Sequence, residues 1–148
     1  MKYEYYPSLS VAKDLSVFEF VRPGNIRMRV IFQPTLWDGV YNLLFGNVAA
    51  TGEIDDQTNN SNGDRNKILA TVARVVDYYT LCYSGRWIYF CGNTKEKTRL
   101  YRMAIGLNWE ELSKKFEIFG DVGQENFYPF YKNMEVSAFL IKRKLFAD

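Results

Sequence analysis

Apolar and polar positions alternate without a break through Ile26-Arg27-Met28-Arg29-Val30, the period of a strand with one face buried and Arg27 and Arg29 on the other. The segments 3–6, 17–21, 26–32 and 40–48 are all rich in β-branched and aromatic residues, with Pro7, Pro23-Gly24, Pro34 and Asp38-Gly39 marking the turns. They predict a β-meander. Past the acidic run Gly52-Glu53-Ile54-Asp55-Asp56 and the polar loop Asn59-Asn60-Ser61-Asn62-Gly63-Asp64, the period changes. Ile68, Leu69, Val72, Val75, Val76 and Tyr79 recur at helical spacing, so a helix starts near Asn62 or Asp64 and ends near Ser84-Gly85. Its wide apolar face predicts that it covers a sheet.

Trp87-Ile88-Tyr89-Phe90 reads as a buried strand, and Thr94 as the N-cap of a second helix through Ile105, stopped by Gly106. Asn108-Trp109-Glu110-Glu111 has the form of a capping box opening a short helix to Lys115. Segments 116–119 and 136–144 complete the pattern as strands, joined by the aromatic loop Phe127-Tyr128-Pro129-Phe130-Tyr131. The expected architecture is α+β or α/β: a mixed, mostly antiparallel sheet with two main helices, in the order β-meander, α, β, α, β, β. At 148 residues the chain fits a single domain, 1–148.

Composition narrows the chemistry more than it names it. Apolar residues make up 47% and aromatics 17%, enough for a packed core and too many for a disordered chain. A net charge of +2 does not by itself imply nucleic acid. With 0 histidines, the commonest general base and zinc ligand is missing, as is every Ser-His or Cys-His nucleophile pair. Cys82 and Cys91 fit neither a metal knuckle nor a redox pair, and their apolar neighbours predict buried, reduced thiols. The carboxylates of residues 52–56 lack the spacing of a calcium loop, so no metal is expected. No segment has the length or apolarity of a membrane span and the start lacks an apolar signal region, so a cytoplasmic protein without membrane contact is expected.

If the strands before and after the first helix share a sheet, they must run parallel. Together with Asn93 to Tyr101 and Phe116-Glu117-Ile118-Phe119-Gly120, this order resembles the C-terminal two-thirds of the acetyl-CoA-dependent N-acetyltransferase (GNAT) fold. The resemblance implies a coenzyme diphosphate on the amides around Asn62 and Gly63, helped by Arg65, with Tyr101 as acid toward the coenzyme sulfur. The sequence departs from that pattern at the turn, where Gly63 is the lone glycine and Asp64 puts a negative charge at the helix start.

Over nearly all of residues 41–144 the chain also resembles a bacterial family of small proteins known only as a domain of unknown function. The matching pieces include Tyr41-Asn42-Leu43-Leu44-Phe45-Gly46, Thr98-Arg99-Leu100-Tyr101-Arg102-Met103 and Ala138-Phe139-Leu140-Ile141-Lys142-Arg143-Lys144. That resemblance carries no activity. The leading expectation is a binding or regulatory module, set in a bacterial toxin–antitoxin or defence operon, rather than an enzyme.

The candidate anion-binding residues are Asn62, Gly63, Arg65, Lys67, Asn93, Arg99 and Arg102. Lys95 lies one turn before Arg99, an arrangement that reads either as a phosphate clamp or as a solvated face pairing with Glu96. Phe127, Tyr128, Phe130 and Tyr131 are a protein-partner patch if exposed and a lid on the sheet if folded back. Two competing functions stand beside the binding module. One is an acyl-CoA-dependent N-acyltransferase acting through Tyr101; the second is a nucleic-acid-directed protein using Arg65, Lys67, Lys95, Arg99 and Arg102.

Overall fold

The computed structural model describes residues 3–55 and 63–145. Among them the strands are β1 (Leu9–Ser10), β2 (Val17–Arg22), β3 (Ile26–Pro34), β4 (Val40–Val48), β5 (Ile54–Asp55), β6 (Trp87–Phe90), β7 (Phe116–Asp121), β8 (Phe127–Pro129) and β9 (Ala138–Arg143). The helices are α1 (Arg65–Cys82), α2 (Lys95–Leu107) and α3 (Trp109–Lys115). The fold is α+β with a mixed sheet. Every pairing whose register is described is antiparallel except β4 with β6, which run parallel through Val40–Trp87, Tyr41–Ile88 and Asn42–Tyr89.

The chain folds as two compact units, Met1–Gln33 with Leu43–Tyr79 and Pro34–Asn42 with Thr80–Asp148. In the first, the strands run β1-β2-β3-β4, with β5 paired to β4. Alternation sends Phe18, Phe20, Met28, Val30 and Phe32 to one face, where all are buried, and α1 covers them with Ile68, Val72, Val75 and Tyr79. The Phe32 and Tyr79 rings stack at 3.7 Å and 6°. Each such side chain contributes about 1.5–3 kcal/mol by leaving water. The opposite face is solvated, and Arg29 pairs there with Glu19 directly across the strands at 2.6 Å. The stripe formed by Arg27 and Arg29 is therefore an ordinary outer face.

In the second unit the order is β4-β6-β9-β7-β8. Ile88, Ile141 and Ile118 form one buried row across the ladder, and Phe139 stacks on Phe90 at 5.2 Å. Trp87 meets Phe119 edge-on at 5.7 Å and Tyr89 meets Phe127 at 6.3 Å, so both serve sheet packing. Between β7 and β8 the chain turns through Gly123, Gln124 and Glu125 at φ 129°, 54° and 61°.

Several local expectations need correction. Residues 3–6 form no strand, because the Tyr6 amide donates to Thr71 Oγ1 of α1 instead of to a neighbouring strand. Phe127–Pro129 is an edge strand rather than a loop, a position where proline is tolerated. Asn108 makes no side-chain cap to α3; its Nδ2 donates back to the Ala104 carbonyl at 2.8 Å and so closes α2. Both cysteines are exposed, since each lies at the end of an element.

Candidate functional site

The two helix starts that the sequence marked as anion sites are built differently. At α1, Gly63 takes φ 82° and Asp64 supplies the carbonyl that receives the Ile68 amide at 2.9 Å. The Asp64 carboxylate lies at this positive helix end, where the dipole favours it. Arg22 grips it with Nη2 on Oδ1 at 2.6 Å and Nε on Oδ2 at 3.1 Å, and the Tyr6 hydroxyl donates to Oδ2 at 2.8 Å. The Arg22 side chain is 1% exposed and that of Asp64 10%, so the pair is secluded from water. Burial, together with the bond to Asp64, pushes the Tyr6 phenol up to about 12. The protein's own carboxylate thus holds the place expected for a ligand. Lys67 lies 4.4 Å over the Tyr6 ring, Arg65 is exposed, and Asn62 lies outside the described residues.

At α2 the turn from β6 is cinched tightly. Thr98 Oγ1 receives the Gly92 amide at 2.9 Å and donates to the Thr94 carbonyl at 3.2 Å. A Cβ on Gly92 would meet the Thr98 nitrogen at 2.6 Å, so only glycine allows this approach. Thr94 caps the helix by accepting the Lys97 amide at 3.1 Å. The amides of Lys95 and Glu96, the first two helical residues, are beyond the reach of any helical carbonyl.

These groups open onto a cleft of ≈ 750 Å³ within the second unit. Asn93, Lys95, Arg99 and Arg102 line it together with Asp121 at the end of β7, Gly123 of the turn that follows, and Glu135 and Ser137 ahead of β9. Lys95 and Arg99 are exposed; Arg102 Nη1 pairs with Glu135 Oε1 at 2.8 Å. Asp121 is buried, and its Oδ1 accepts the Gly123 amide at 2.8 Å. The structure therefore gathers three of the expected residues, Asn93, Arg99 and Arg102, into one place. Glu135 and Asp121 escaped the sequence reading, because nothing in local spacing ties them to α2.

Tyr101 does not line this cleft; its half-buried ring lies 6.3 Å from Phe90. The aromatic segment divides. Phe130 is buried between Trp109 and Phe139, Phe127 is half-buried on Tyr89, and Tyr128 and Tyr131 are exposed. Among the described residues no group of His, Cys, Asp or Glu is arranged to hold a metal ion, and no helix is long and apolar enough to cross a membrane.

Fold and cleft together describe an α+β protein with a polar cleft at a helix start, lined by Lys95, Arg99 and Arg102 and by the carboxylates Asp121 and Glu135. The chain matches the model of a family of unknown function (DUF6934) over residues 2–144, and it belongs to that family. No curated protein and no solved structure matches it.

Proposed function

We propose that the protein is a binding module whose ligand is a small anion held in the cleft at the start of α2. One observation carries the reading: Lys95, Arg99 and Arg102 share a cleft of ≈ 750 Å³ at the start of α2, where the Lys95 amide has no helical partner. Guanidinium forks and first-turn amides are the groups that bind phosphate and carboxylate oxygens, and the helix dipole adds to their pull. The bacterial part of the proposal rests on the family resemblance, the operon link on the small size of the chain, and the cytoplasmic setting on the sequence reading above.

The test is calorimetric titration of the whole chain with inorganic phosphate. Binding is expected, and Arg99→Ala weakens it about tenfold through loss of a charge-assisted hydrogen bond. No heat at millimolar phosphate removes the reading.

A second reading, the acyl-CoA-dependent N-acyltransferase, is supported by the strand order β4-β6-β9-β7 with β4 and β6 parallel. Against it stand the Asp64 carboxylate at the start of α1 and the packing of Tyr101 on Phe90. Micromolar binding of acetyl-CoA supports it; silence in the same titration removes it.

A further inference from the structure

The cleft already contains an anion. Glu135 Oε1 lies 2.8 Å from Arg102 Nη1, yet the Glu135 side chain is 92% exposed while that of Arg102 is 15% exposed. The arginine is fixed in the wall and the carboxylate reaches it from the solvent. The backbone on either side of Glu135 is anchored. Met134 is buried, and Val136 sits so close to Gly120 that a Cβ there would collide with Val136 Cγ1. Between them only the Glu135 side chain stands out in solvent.

We propose that Glu135 is the resting occupant of the cleft's anion position, which makes the cleft selective for phosphate monoesters over carboxylates. This rests on the reading of the cleft as an anion site. A tethered group competes at an effective concentration on the order of millimolar. A ligand carboxylate that displaces Glu135 exchanges like for like and gains little. A phosphate brings a charge of about −1.5 to −2 and three acceptor oxygens, enough to engage Arg102 together with Arg99, Lys95 and the first-turn amides of α2. An exposed ion pair is weak, so Glu135 yields to such a ligand.

The experiment compares wild type, Glu135→Gln, Glu135→Ala and Arg99→Ala, each titrated with inorganic phosphate, adenosine monophosphate and succinate. Circular dichroism checks that each variant is folded. Both Glu135 variants are expected to bind the two phosphates roughly two- to sixfold more tightly, the factor set by a surface ion pair. Succinate is expected to give no heat with wild type and measurable heat with Glu135→Gln. Phosphate affinity that is unchanged or weaker in both Glu135 variants, while Arg99→Ala still weakens binding, overturns the resting-occupant role and leaves the cleft as an anion site. Wild type binding succinate as tightly as phosphate overturns the selectivity. Phosphate silence in every variant overturns the anion site itself.

Discussion

The starts of α1 and α2 invite comparison, since the sequence offers candidate anion-binding residues at both and each lies near an arginine–carboxylate pair. At α1 the anion is Asp64, held by an arginine whose side chain is 1% exposed and by the Tyr6 hydroxyl. At α2 it is Glu135, whose side chain is 92% exposed. The helix dipole fades within the first turn, so it helps to hold Asp64 but not Glu135, whose partner Arg102 stands about two turns past the Thr94 cap. It does not explain why one pair is enclosed and the other open. Burial does. An arginine shut away from water must keep its carboxylate, because the unpaired charge is costly, whereas an arginine at a cleft wall can trade one anion for another. The first start is a structural joint; the second is the place where the proposed ligand would bind.

The largest expected effect separates the joint from everything else. Asp64→Ala takes the carboxylate away from the buried Arg22 guanidinium and is expected to destabilise the fold by about 3–5 kcal/mol in urea unfolding. A loss below about 1 kcal/mol would mean that Arg22 is not secluded, and the contrast between the two starts would fail.

Next comes the phenol. Tyr6→Phe removes a hydrogen bond to a carboxylate and is expected to lose about 1.5–3 kcal/mol near neutral pH. The folded-state value of Tyr6, about 12, lies above the ordinary 10.0. Its contribution is therefore complete below about pH 10 and is lost as pH rises toward 12. Other tyrosines titrate in the same range, so the readout is the stability difference between wild type and variant; it should shrink above pH 10. A difference constant to pH 12 would place the Tyr6 proton outside the joint.

The smallest effect belongs to the open start. Thr94→Ala removes one cap bond and is expected to cost about 1 kcal/mol, read as a lower thermal midpoint. A much larger loss would mean that this helix start, too, is a buried joint.

Much of this architecture was legible from period alone. β2, β3, β4 and β6 follow from alternation and apolar runs, and α1 from its repeat, because a strand or helix with one buried face writes that face into local spacing. The misses have a common cause, namely partners that are far away in sequence. Tyr6 looked like part of a strand, but its hydroxyl bonds to Asp64 across 58 positions, and Arg22 reaches Asp64 across 42. No local pattern reveals that the α1 anion site is already filled. Arg99 and Arg102 stand out in the sequence by their helical spacing after the Thr94 cap, and Asn93 by the resemblance of residues 93–101. Glu135 was missed because it reaches Arg102 from the segment ahead of β9. The cysteines lie beside apolar residues that do not guarantee burial: Leu81, next to Cys82, is itself exposed.

The turn after β7 has a consequence for any effort to engineer the cleft. Gln124 and Glu125 hold left-handed backbone angles that glycine or asparagine adopts with less strain. A sequence library can therefore be written at those two places to harden the scaffold, leaving Arg99, Arg102 and Glu135 unaltered while ligand preference is tuned elsewhere.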